Sequence, residues 1–201
     1  MSIDKYTKYK KIFLENHGIL RAAKAIKLGI PEHSIYEMLS KNILVRETGG
    51  LYRLADMQPL SNPDLIQVSL LIPKSVFCLI SALYFYDLTT QIPHQVYIAL
   101  PRNTKTPKIE YPPIKVFHFG TRAYFAGIEE KIIDGIRVCI YSREKTITDC
   151  FAYREKIGLE IAIEALKDYF LQPNPNINDI MKYAGINRVE KTIYPYIKTL
   201  L

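Results

Sequence analysis

Apolar residues in the first quarter of the chain recur at the three- and four-residue spacing of helices. Ile12 and Phe13 mark one helix, the segment from Ile19 to Leu28 a second, and Ile35, Met38 and Leu39 a third. The period stops at residues 57–63, where Met57, Gln58, Pro59, Leu60, Ser61, Asn62 and Pro63 carry no regular pattern. Beyond this break the pattern is mixed. Leu65 to Ile72 reads as a strand ending at Pro73, and Lys74 to Asp87 as a buried helix. Gln95–Leu100 and Lys115–Phe119 read as strands joined by a Pro- and Lys-rich connection. Ile132–Tyr141 alternates around Asp134 and Gly135 as a hairpin does. From Arg143 the chain reads as helical to its end, with breaks at Gly158, at Pro173–Pro175 and near Gly185. These periods predict an α+β fold, with residues 1–56 as one domain, 57–63 as a linker, and 64–201 as a small mixed sheet followed by several helices.

Within the first domain, Ala25 and Gly29 stand four residues apart. A helix-turn-helix needs a small residue on its first helix for close crossing, and one turn later a residue that tolerates positive φ. Leu28 and Ile30 flank the glycine, and Pro31 can open a helix without losing a hydrogen bond. Ile35, Met38 and Leu39 give that next helix its inward face. Glu32, His33, Ser34, Tyr36, Glu37 and Lys41 are left outward, and His33, Ser34, Tyr36 and Glu37, toward the start of a recognition helix, are the candidates to reach base edges in the major groove. Each also has a plainer reading, Tyr36 as packing and Glu37 as a solubilising charge. Leu44–Arg46 and Leu51–Leu54 flank Gly49–Gly50, as two strands flank a tight turn of positive φ. A hairpin directly after a recognition helix is a wing, and Arg46 and Arg53 on its two arms are positioned to meet phosphates. The N-terminal domain is therefore expected to be a winged helix-turn-helix.

Charge agrees with that expectation. The chain of 201 residues has a formal net charge of +7, which favours anionic partners. The first 56 residues hold ten Lys/Arg against six Asp/Glu, and residues 57–201 hold seventeen against fourteen, so the excess is densest at the N-terminus. Hydrophobic residues make up 48% of the chain, enough for a core that needs no disulfide staples. Cys78, Cys139 and Cys150 form no CxxC pair, and no signal peptide or membrane-length apolar run is legible, so a cytoplasmic location is expected, without membrane contact.

A search for catalysis turns up little. His17, His33, His94 and His118 lack metal-ligand spacing, and the nucleophile-elbow, phosphate-loop and dinucleotide motifs are absent. No metal, cofactor or catalytic residue is expected. The carboxylates of Asp134, Glu144 and Asp149 could suggest a metal-dependent nuclease, but Glu144 and Lys145 are adjacent at a predicted helix start, where an acid ordinarily complements the helix dipole. The second domain has a candidate basic surface in Arg102, Lys105 and Lys108 of the Pro-rich loop and in Arg143, Lys145, Arg154 and Lys156 near the late helices. An alternative is a regulator whose second domain binds a small effector.

The segment HGILRAAKAIKLGIPEHSIYEMLSKNILVRETGGLYRLAD, from His17 to Asp56, resembles the N-terminal winged helix of the AbiEi family of antitoxins and transcriptional regulators in abortive-infection, type IV toxin–antitoxin operons. The run SALYFYDLTTQIPHQVYIALP is similar to the core of that family's second domain. YSREKTITDCF is similar to a later helix start there, with Ser142 as N-cap. The resemblance implies an autorepressor that binds inverted repeats in promoter DNA. It also implies an antitoxin that counters a nucleotidyltransferase-like toxin without a stable complex.

Overall fold

The computed structural model describes residues 5–200. The chain opens with α1 (Lys5–Leu14), β1 (Ile19–Arg21), α2 (Ala22–Lys27), α3 (Glu32–Ser40), β2 (Leu44–Arg46) and β3 (Leu51–Leu54). The strands form an antiparallel sheet in the order β1-β3-β2. The expected second helix thus begins only at Ala22. Its first residues are extended because Ile19, Leu20 and Arg21 pair with Arg53, Tyr52 and Leu51. The turn from α2 to α3 follows the spacing: Ala25 is fully buried, Gly29 has a φ of 92°, and the Ile30 N–H returns to the Ala25 carbonyl at 3.1 Å. Only a residue without a Cβ adopts that backbone readily. Phe13, Leu20, Ala25, Ile30, Ile35, Met38, Leu44 and Leu54 form the core of this part.

The rest comprises α4 (Pro63–Leu71), β4 (Val76–Phe77), α5 (Leu79–Phe85), β5 (Val96–Pro101), β6 (Ile114–Phe119), α6 (Thr121–Phe125), β7 (Ile128–Ile133), β8 (Ile136–Tyr141) and α7 (Arg143–Ala152). The helices α8 (Arg154–Ile157), α9 (Leu159–Leu171), α10 (Ile177–Asn187) and α11 (Glu190–Leu200) complete it. Its five-stranded mixed sheet runs β6-β5-β4-β8-β7, with β5–β6 and β4–β8 parallel. One large core joins α5, α7, α9, α10 and α11 to the sheet, through Leu83, Tyr141, Phe151, Leu166, Ile180 and Ile193. The other side of the sheet meets α4 through Ile66, Val68, Ile98 and Val138. Among the described residues no helix is long and apolar enough to cross a membrane. The chain is α+β.

Three local expectations change. Leu65–Leu71 is helical, not extended: Ile66, Gln67, Val68, Ser69 and Leu70 alternate apolar and polar as a strand does, and the helix is signalled only by Pro63 at its first position and Asp64 in its first turn. Val76 and Phe77 are a short strand at the centre of the sheet, so the helix read from Lys74 begins at Leu79. The break placed near Gly185 falls later, at Arg188, whose left-handed backbone ends α10. Ser142 does cap α7, its hydroxyl accepting from the Lys145 N–H at 3.2 Å.

The two parts of the chain pack on each other. Ile19 and Leu51 belong to the same apolar cluster as Ile66 and Ile136. The hairpin between β2 and β3 turns over Glu47–Gly50, longer than a two-residue turn, with positive φ at both glycines. A Cβ on Gly49 would land on the carboxamide of Gln67, a buried α4 residue that donates to the Tyr111 carbonyl at 2.7 Å. Residues 57–63 are likewise held. Met57 packs on the N-terminal core and Leu60 on the sheet cluster, and the Ser61 N–H and hydroxyl donate to Asp134 at 2.8 and 3.0 Å.

Candidate nucleic-acid interface

The face of α3 expected to meet bases is only partly available. His33 and Tyr36 are exposed, Tyr36 by 57%. Ser34 is only 1% exposed, because it lies in the first turn of α3 on the side that packs inward. It is removed from the set of base-reading candidates. Glu37 is half-buried and braces α3 to α1: its carboxylate accepts from the Lys5 ammonium at 2.6 Å and the Tyr6 hydroxyl at 3.0 Å. The hydrogen bond from Lys5 holds the Glu37 carboxyl below its ordinary range, and the same bond raises Lys5. The Lys41 ammonium lies 4.6 Å from the centre of the Tyr6 ring, within cation–π range, and the residue stays exposed.

The hairpin arginines separate sharply. Arg46 is on the edge strand β2 and exposed. Arg53 is on the central strand β3, is only 6% exposed, and is consumed internally. Its Nε donates to Glu47 at 2.8 Å, and its Nη1 donates to the carbonyls of Leu54, at 3.0 Å, and Met57. The expectation that Arg53 meets phosphate is corrected on that ground. Its guanidinium ties the hairpin to the start of the 57–63 segment.

The structure adds cations that motif reading passed over. Arg21, Lys24 and Lys27 line an open cavity of about 420 Å³ together with Glu15, His17 and Leu70. Arg21 also lines a second cleft of about 690 Å³ with Arg46, Gly49, Gly50, Lys108, Glu110 and Tyr111. This cleft runs between the β2–β3 hairpin and the Pro-rich loop that follows β5. The Arg21 Nε is buried with no hydrogen-bond partner among the described residues. An unpartnered buried guanidinium N–H costs free energy unless something accepts from it. For the two lysines a signal was present in the sequence. Lys24 and Lys27 are spaced three apart, the interval that lines up side chains along one edge of α2, whereas Arg21 ends β1 and carries no such signal.

The basic residues of the second part do not act as one group. Arg102 and Lys105 are exposed, and Lys108 faces the hairpin cleft. Arg143 donates to Gln172 at 2.8 Å and stands 5.7 Å from the Tyr169 ring. Arg154 donates to the Phe151 carbonyl at 2.9 Å, and Lys156 is exposed. Lys145 is fully buried and paired with Asp149, one turn along α7. It cannot belong to a surface, so that assignment is corrected. Its neighbourhood explains why: the ammonium lies 4.5 Å from the Tyr141 ring centre and 4.9 Å from that of Phe119, with a carboxylate beside it. The other carboxylates weighed for metal chemistry are also engaged, Asp134 with Ser61 and Glu144 with the Tyr169 hydroxyl at 2.6 Å. No group of three or more His, Cys, Asp or Glu side chains among the described residues could hold a metal ion.

No family model matches the chain, and no curated protein matches it. Among solved structures it is similar to the crystal structure of the RV2827C protein from Mycobacterium tuberculosis. The two are 12% identical, with a TM-score of 0.57, over 89% of this chain and 71% of that one. At this identity the likeness concerns the fold alone. Its coverage nonetheless extends over both parts of the chain.

Proposed function

We propose that the protein is a DNA-binding transcriptional regulator whose first 56 residues form a winged helix-turn-helix. The single observation that carries this reading is a cluster of cations without an ion pair among the described residues, Arg21, Lys24, Lys27 and Arg46, beside a helix pair whose exposed face presents His33 and Tyr36. The element order supports it: helix, strand, helix, helix, then two strands, with the first strand on the sheet edge beside β3. In this reading α3 enters the major groove, with His33 and Tyr36 at the base edges and Lys41 nearby. Arg46 and the α2 cations hold the flanking phosphates. Lys108 shares the Arg46 cleft, so the second part grips the same backbone.

On the family resemblance, the regulator represses its own operon and serves in the cytoplasm as antitoxin to a nucleotidyltransferase-like toxin, with inverted-repeat promoter DNA as its partner. The exposed cations Arg102, Lys105 and Lys156 form the reduced surface available for that second role.

DNA binding is tested by fluorescence anisotropy on the duplex upstream of the gene, at several salt concentrations. Alanine at Arg21, Arg46 or Lys108 should each weaken binding to every duplex and lower the salt slope by about one phosphate equivalent. Tyr36→Ala should instead change which sequence is preferred. Unaltered affinity in all four variants would sink the reading. The antitoxin role is tested by growth: the protein should rescue cells that express the neighbouring toxin from an unrelated promoter, and failure of the intact protein to do so removes that role.

A further inference from the structure

The seam between the two parts holds the cavity of about 420 Å³. That volume lies within the roughly 300–1,000 Å³ range of small-molecule pockets, which form preferentially where domains meet. Its first side is cationic. Arg21 ends β1, and Lys24 and Lys27 follow on α2, three residues apart. Both lysines are exposed, and none of the three side chains makes a hydrogen bond or ion pair among the described residues. Glu15, the carboxylate in the lining, is already engaged with Lys11 at 4.0 Å. Three positive charges therefore face a cavity to which the chain supplies a single, shared carboxylate.

The opposite side comes from the second part and is apolar, with Leu70 of α4 and Ile136 of β8. Close approach holds it in place. A Cβ on Gly135 would lie 2.7 Å from the ring of His17, another lining residue, and Asp134 in the same β7–β8 turn accepts from Ser61. The cavity thus joins free cations to a fixed apolar surface. A backbone phosphate of a duplex would use only the cations, because it presents nothing apolar to Leu70 and Ile136.

We propose that this seam cavity binds a small organic phosphate, with the phosphate among Arg21, Lys24 and Lys27 and the apolar body on Leu70 and Ile136. A phosphate monoester carries close to two negative charges at neutral pH, which suits three cations better than the single charge of a carboxylate. The ligand touches both parts of the chain at once. On the DNA-binding reading, Lys24 and Lys27 also hold duplex phosphates, so ligand and duplex exclude each other; the inference rests on that reading for this consequence alone.

The test is calorimetric titration of the full chain, without DNA and at constant ionic strength, with phenyl phosphate, inorganic phosphate and benzoate. Phenyl phosphate should bind saturably and about tenfold more tightly than inorganic phosphate, the scale of covering roughly 60 Å² of apolar surface. Benzoate should bind more weakly than phenyl phosphate. Lys24→Ala should weaken phenyl phosphate about tenfold, the scale of one lost charge-assisted hydrogen bond. Ala23→Phe keeps every cation but brings a ring into the cavity from an exposed lining position, and should weaken phenyl phosphate more than inorganic phosphate. Absence of phenyl phosphate binding overturns the proposal. So does equal affinity for phenyl and inorganic phosphate, or an affinity that neither variant changes. In a second measurement phenyl phosphate should displace the labelled upstream duplex further than sodium chloride of the same ionic strength does; equal displacement would overturn the competition. A duplex that never binds would remove the DNA-binding reading, while the calorimetry still decides this one.

Discussion

The cations around the N-terminal clefts and those near the first late helices of the second part are held in opposite ways. In the N-terminal part, Arg21, Lys24, Lys27 and Arg46 surround open clefts with no ion pair among the described residues. In the second part, Lys145 is buried against Asp149, Arg143 binds Gln172 and Arg154 binds a backbone carbonyl. Ion pairing is not confined to one part, since Lys5, Lys10, Lys11 and Arg53 are paired in the first, and Lys131, Arg137, Lys145, Arg154 and Lys182 in the second. The contrast reappears within one hairpin, where Arg46 faces outward from the edge strand and Arg53 is locked in the middle one. Burial with a partner turns a cation from a recognition element into a structural one. Net charge does not distinguish the two.

Stability measurements should separate these classes most strongly. Arg53→Ala leaves Glu47 half-buried without its guanidinium, and Lys145→Ala leaves the Asp149 carboxylate wholly buried without its ammonium. Breaking such pairs costs about 3–5 kcal/mol, whereas Arg46→Ala or Lys105→Ala should remain within roughly 0.5 kcal/mol of the parent. Urea unfolding curves compare all four. Equal midpoints for Arg53→Ala and Arg46→Ala would erase the distinction.

A smaller effect tests whether the hairpin is docked on the second part. Gly49 and Gly50 both have positive φ, so alanine at either position should cost on the order of 1 kcal/mol in backbone strain. Only at Gly49 does the new Cβ strike Gln67; at Gly50 it meets open space. Gly49→Ala should therefore be the more destabilising and should increase amide exchange in α4, while Gly50→Ala leaves α4 unaffected. Matching exchange in the two variants would mean that the hairpin does not rest on Gln67 in solution.

The least effect is expected at the exposed Lys5–Glu37 contact, where Glu37 is held below its ordinary range chiefly by its hydrogen bond from Lys5. A lowered carboxyl contributes stability that is complete above its unfolded value and is lost as pH falls through its lowered folded value. A carboxyl-detected NMR titration should find Glu37 below the usual glutamate range, returning toward it in Lys5→Ala. No return would mean that Lys5 does not hold α1 against α3.

How much of this was legible beforehand varies by element. Ala25, Gly29 and the inward face of α3 could be read from spacing, because close helix crossing and a left-handed turn demand particular residues locally. The hairpin at Asp134–Gly135 and the cap at Ser142 were legible for the same reason, since both are settled within a few residues. Leu65–Ile72 was not, because Ile66, Val68 and Leu70 alternate with Gln67 and Ser69 at a strand's period, and the fold buries Gln67 in a helix all the same. Arg53, Lys145 and Ser34 were misassigned as available groups. Their exposure depends on which strand is central and which helix face is covered, and Arg21 was passed over because its cleft forms only when the hairpin meets the loop after β5.

The sequence by itself determined the α+β class, the tight turns and caps, and the excess of positive charge at the N-terminus. All of these follow from covalent geometry, periodicity and composition. Only the tertiary structure decided which cations remain available, that the hairpin tip rests on Gln67, and that Asn187 donates to the buried Asp149. The physical reason is that availability belongs to pairs of residues distant in sequence. Lys145 loses its surface to Phe119 and Tyr141, and Asp149 is joined by Asn187 thirty-eight residues later.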